Sequence, residues 1–67
     1  EGEVLAAVMA LPLPQREAVY LHYYEGYSAR AIAGLAGVSE AAVHQRLSRA
    51  RRRLRLTLKG DYDDFPA

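Results

Sequence analysis

The sequence contains no cysteine, which excludes a disulfide framework and any thiolate metal site. Its two histidines, His22 and His44, lack the additional ligands that a zinc site needs, so neither a metal nor another cofactor is expected. No apolar run approaches the roughly 20 residues of a membrane span. The N-terminus also lacks the basic region and apolar core of a secretory signal. A cytoplasmic protein without membrane contact is the expectation. The chain opens on Glu1 instead of Met and enters a helical pattern at once, as a piece cut from a longer protein would. No alternation of β-branched residues is long enough for a strand. Catalytic constellations are missing as well: there is no nucleophile beside a base, no paired carboxylates in an apolar setting, and no phosphate loop. With 67 residues there is room for one small core and no large cavity. The expectation is that the chain is not an enzyme.

One more absence is local. Between residues 46 and 59 there is no carboxylate, while Arg46, Arg49, Arg51, Arg52, Arg53, Arg55 and Lys59 account for seven of the nine basic residues. The eight acidic residues lie at Glu1, Glu3, Glu17, Glu25 and Glu40 and in Asp61, Asp63 and Asp64. A formal net charge of +1 conceals this segregation, which points to nucleic acid. Solvated basic faces on helices usually interleave a carboxylate four residues before each cation, and this one does not.

What is present reads as helices with short connections, an all-α domain. Glu3 to Ala10 carries Val4, Leu5, Val8 and Met9, opens on a carboxylate suited to the helix dipole, and is stopped by Pro12 and Pro14. Gln15 to Tyr24 follows, with Pro14 set for the first helical position and Glu25-Gly26 as its ending. Ser28 caps a third helix, Ala29 to Ala36, which Gly37 closes in the left-handed conformation. Ser39 caps a fourth, running to about Leu58 before Gly60. Residues 1–60 thus form the expected domain and residues 61–67 an acidic, frayed tail.

In the fourth helix Val43, Leu47, Ala50, Leu54 and Leu58 form one apolar stripe at intervals of four, three, four and four. Opposite it lie Ala41, His44, Gln45, Ser48, Arg49, Arg52 and Arg55, a polar and basic face. Arg46 and Arg53 flank the stripe on one side and Arg51 on the other, where their stems can lie over the domain while the guanidinium groups reach outward. Ala33, Gly37 and Val43 stand at offsets of four and ten, the pattern of a helix-turn-helix. Each has a steric reason: Ala33 lets the helices approach, Gly37 permits the reversal, and Val43 plugs the second helix onto the first. The domain is therefore expected to be a small four-helix unit containing a helix-turn-helix with a long C-terminal recognition helix.

The segments Leu13-Pro14-Gln15-Arg16-Glu17-Ala18-Val19, Tyr23-Tyr24-Glu25-Gly26-Tyr27-Ser28, Ile32-Ala33, Val38-Ser39-Glu40 and Val43 to Arg51 resemble region 4 of a bacterial sigma factor. The likeness is strongest to the extracytoplasmic-function group and covers about Leu11 to Leu58. It implies a promoter-recognition domain in transcription initiation. Double-stranded promoter DNA would be bound at its minus-35 element, the β-subunit flap of RNA polymerase would be a protein partner, and an anti-sigma factor a possible second. The isolated domain would be a monomer.

Carried over by position, the resemblance places Ala41, His44, Gln45, Ser48 and Arg49 against base edges in the major groove. Arg30, Arg46, Arg51, Arg52 and Arg53 would lie over phosphates, setting affinity and salt dependence more than sequence. A guanidinium at Arg49 can bond guanine O6 and N7 together, and Gln45 can do the corresponding job at adenine. Two positions depart from the family pattern. His44 stands where a lysine or arginine is usual, so binding is expected to strengthen as pH falls towards about 6. In the third helix Ala29-Arg30-Ala31 replaces acidic residues, so the capping box is missing. Tyr20, Tyr23, Tyr24 and Tyr27, at helical spacing, read as core with their hydroxyls at the rim, and His22 as exposed. Two other functions compete. One is a sigma-like decoy for an anti-sigma protein, which should have lost its basic face; the other is a response-regulator effector domain, whose recognition helix is typically shorter and poorer in arginine.

Overall fold

The protein was analysed as a computed structural model that describes residues 2–58. The acidic tail, with Lys59 and Gly60, lies outside the described residues. Four helices follow one another, and there is no strand among the described residues: α1 is Gly2–Met9, α2 is Leu13–Val19 and continues as a π-helical stretch over Tyr20–Tyr24, α3 is Ala29–Ala36, and α4 is Glu40–Leu58.

Each boundary has a local cause. Ala10 N–H still donates to the carbonyls of Ala6 and Ala7, but Pro12 has no N–H to continue the ladder. Its extended backbone instead opens α2, in which Leu13 is the first residue and Pro14 the second. Pro14 therefore sits one place deeper than the sequence suggests, at a position whose N–H would be unsatisfied anyway. Ser28 Oγ accepts from Ala31 N–H at 3.0 Å and starts α3. The α3–α4 corner is built as the spacing predicts. Gly37 takes φ 70°, its N–H and that of Val38 both donate to the Ala33 carbonyl at 2.9 and 3.1 Å, and Ser39 Oγ then accepts from Ala42 N–H at 3.0 Å. An end carbonyl of α3 and a first-turn amide of α4 are thereby satisfied within the corner itself.

The core is apolar throughout. Val8, Ala18, Val19, Ile32 and Ala33 from the first three helices, with Leu11 from the α1–α2 connection, meet Val43, Leu47, Ala50 and Leu54 of α4. The α4 stripe is buried as its period requires, with Leu58 partly buried at the end. All three other helices pack on α4, which at 19 residues and 1.5 Å per residue runs about 28 Å, nearly the full 32 Å length of the molecule.

The tyrosines depart from expectation. Only Tyr23 packs against the core; Tyr20, Tyr24 and Tyr27 are 42, 46 and 42 % exposed. Tyr27 lies beyond the helix, and from Tyr20 onward the helix is π-helical, with Glu25 N–H reaching back five residues to the Tyr20 carbonyl at 3.1 Å. The wider turn rotates each following side chain away from the face that a 3.6-residue period assigns to it. Tyr20 and Tyr24 end as a tilted ring pair, 5.3 Å between centroids. His22 is half-buried, not simply exposed: its Nδ1–H donates to the Tyr27 carbonyl at 2.8 Å, and its ring meets that of Tyr23 edge to face at 4.7 Å.

Candidate nucleic-acid interface

Burial of Val43, Leu47, Ala50 and Leu54 fixes the rotation of α4 and so decides what it turns outward. Ala41, His44, Gln45, Ser48, Arg49, Arg52 and Arg55 are all exposed. Past Glu40 this helix contains no carboxylate, so the outward face carries guanidinium groups and short polar side chains with no acidic residue of the helix interleaved among them. That combination suits a polyanion with readable edges: cations meet phosphates, while Gln45, Ser48 and Ala41 are small or polar enough to approach base edges.

The phosphate candidates divide by environment. Arg30 on α3 and Arg52 and Arg53 on α4 are exposed, whereas Arg46 and Arg51 are half-buried. Arg51 Nη1 donates to the Tyr23 hydroxyl at 3.0 Å in a part-buried setting, which ties α4 to the π-helical stretch of α2. Among the described residues the other arginines have no such tie, apart from Arg16, whose Nη1 donates to the Met9 carbonyl at 3.1 Å and closes the end of α1. At the start of α4 the His44 Nε2 lies 3.5 Å from a Glu40 carboxylate oxygen, one turn back, with both side chains more than half exposed. Glu40 favours the helix dipole but stands where a phosphate would approach.

Two features were not read from the sequence. Gln15, at the N-terminal end of α2, sits against α4 and lines a cleft of about 300 Å³ with Pro12, Pro14, Gln45, Arg46 and Arg49. It also lines a neighbouring cleft of about 270 Å³ with Arg49, Arg52, Arg53 and Leu56. On another face, between α1 and α2, an open apolar groove of about 550 Å³ is lined by Leu5, Met9, Tyr20 and Leu21, with Arg16 and Glu17 alongside. Leu5 and Met9 are 44 and 51 % exposed there. Their i, i+4 spacing on α1 was visible as an apolar stripe; that half of it stays uncovered was not.

Residues 1–54 match the family model of sigma-70 region 4. The chain belongs to that family. Region 4 domains are DNA-binding, non-catalytic helix-turn-helix units of promoter recognition, and the present α3–α4 corner is that unit. Among curated proteins, the chain is similar to a probable RNA polymerase sigma factor, RfaY, of Xanthomonas campestris pv. campestris, at 43 % identity over 65 residues. The match takes in 97 % of the present chain and 16 % of that relative, so the chain spans about one-sixth of its length. Family membership decides against the response-regulator effector reading. Within the region 4 frame, the buried α4 stripe and the exposed arginines occupy one helix on opposite sides. No described helix is long and apolar enough to cross a membrane.

Proposed function

We propose that this region 4 domain recognises the minus-35 element of promoters for an alternative sigma factor of the extracytoplasmic-function group. The observation that carries the reading is the outward face of α4: every one of its seven residues is exposed, and none is acidic. The helix lies in the major groove with Ala41, His44, Gln45, Ser48 and Arg49 towards the bases. Arg49 pairs with guanine through its two parallel donors, worth about 1 to 3 kcal/mol of discrimination. Arg30, Arg46, Arg52 and Arg53 meet backbone phosphates. Arg51, engaged by Tyr23, serves mainly to hold α4 to α2.

The apolar groove of Leu5, Met9, Tyr20 and Leu21 supports a second role, docking an apolar segment of RNA polymerase such as its β-subunit flap while α4 stays on DNA. An anti-sigma factor would act by covering either surface. A domain that works on promoters would reside in the cytoplasm.

The test is fluorescence anisotropy of the chain with a duplex selected from a randomised pool and with its scrambled counterpart, each at two salt concentrations. Preference for the selected duplex, with binding to both that weakens as salt rises, is expected. Arg49→Ala should then lower that preference about tenfold while Tm stays unchanged. Absence of salt-sensitive binding to any duplex would overturn the proposal in favour of a sigma-like decoy that binds an anti-sigma protein.

A further inference from the structure

Gln15 is the one half-buried amide beside the arginine face, and its position is informative. It shares both clefts flanking the DNA-facing edge of α4 with a single other residue, Arg49. Its Oε1 is buried and has no hydrogen-bond partner among the described residues. A buried acceptor without a donor costs free energy, and in a folded domain such a group generally has a partner in the working state. The donors that line these clefts are the guanidinium groups of Arg46, Arg49, Arg52 and Arg53 and the amide of Gln45. Of these, only Arg49 borders Gln15 on both sides.

We infer that Gln15 is a positioning residue for Arg49: on DNA, its Oε1 accepts a hydrogen bond from the Arg49 guanidinium and fixes the plane in which that group meets a base. A guanidinium has five donors in a rigid fork. Two of them reach guanine O6 and N7, which leaves others to be held by the protein. An arginine held from behind loses less rotamer freedom on binding and tolerates a misaligned base less well. The acceptor belongs to α2, outside the helix-turn-helix. Pro12 and Pro14, just before it at the start of α2, restrict the backbone that leads into it, so the anchor is more rigid than the flexible side chain it orients. Gln15 touches no base itself; it acts through Arg49, and the inference rests on the base-reading role proposed for that residue.

The experiment compares four chains, the parent, Gln15→Met, Gln15→Glu and Arg49→Ala, on the selected and scrambled duplexes across a salt series, with thermal melts of each. Methionine keeps the volume and removes the acceptor. Gln15→Met should lower the ratio of affinities for the two duplexes about fivefold, the loss of one hydrogen bond, with the salt slope unchanged. Gln15→Glu restores an acceptor and should keep the ratio near that of the parent, although its charge weakens binding to both duplexes alike. A merely structural Gln15 would instead shift Tm and both affinities together. If Arg49→Ala lowers the ratio and Gln15→Met does not, the positioning role is wrong while the base-reading role stands. If Arg49→Ala leaves the ratio untouched, base reading by Arg49 fails and takes the positioning role with it.

Discussion

Arg51 and Arg53 stand two residues apart in one basic run, yet the fold separates them so far that their removal should be visible in different experiments. Arg51 Nη1 donates to the Tyr23 hydroxyl at 3.0 Å, part-buried, while Arg53 is exposed. A hydrogen bond from a charged donor contributes about 1.5 to 3 kcal/mol, and partial solvent access brings this one nearer to about 1 kcal/mol. In a domain of this size that corresponds to about 4 to 8 °C in Tm. Arg51→Ala should therefore melt that much lower and leave the salt slope of DNA binding nearly intact. Tyr23→Phe should lower Tm by at least as much, and the double substitution should fall well short of the sum, because both singles remove the Arg51–Tyr23 bond. Arg53→Ala should leave Tm within about 1 °C and reduce the salt slope by about 0.9, the worth of one phosphate contact. Thermal circular dichroism and anisotropy titrations at four or more salt concentrations separate these outcomes. An Arg51→Ala chain with parental Tm and a salt slope lower by a full contact would refute the assignment, since the guanidinium would then leave Tyr23 at no cost to reach a phosphate.

Two further substitutions probe the scaffold. Leu54, 1 % exposed and among the largest fully buried side chains, should cost about 2 to 5 kcal/mol on truncation to alanine, a large share of the roughly 3 to 10 kcal/mol available to a chain of this length; denaturant unfolding measures it, and a midpoint close to the parent's would contradict the packing described. At Gly37, φ is 70° and an added Cβ meets nothing within 4 Å, so Gly37→Ala should lose about 1 to 2 kcal/mol to backbone strain alone and Gly37→Asn less. A larger loss for Asn than for Ala would show a steric conflict that the backbone does not reveal.

The parts legible in the sequence share a physical basis. Ser28, Gly37 and Ser39 act on backbone groups within four residues of themselves, so local chemistry determines where the third helix begins and ends and where the fourth begins. The stripe from Val43 to Leu58 persists over four intervals, long enough for its period to reveal which side of α4 is buried. The tyrosines failed that test because the period itself changes at Tyr20. A π-helical turn leaves no mark in residue type, and one widened turn is enough to move Tyr24 off the face that the α-helical period assigns to it. Gln15 was missed for a different reason. Its importance arises from contact between α2 and α4, about 30 residues apart in the chain, and spacing along either helix carries no trace of it. Likewise Arg51 looked equivalent to its neighbours until Tyr23 was found beside it.

The division of α4 into a buried stripe and an opposed exposed face has an evolutionary consequence. The two sets, Val43, Leu47, Ala50 and Leu54 against Ala41, His44, Gln45, Ser48 and Arg49, have no residue in common. Substitutions at exposed positions away from caps and special backbone conformations usually change stability by less than about 0.5 kcal/mol, so a lineage can rewrite the exposed set while the molecule's folding free energy stays almost constant. Duplicated copies of such a domain are then free to drift towards different target sequences one exposed position at a time, without passing through an unfolded intermediate. Gln15 would limit that freedom at Arg49 alone, making the guanine-reading position the slowest of the five to change.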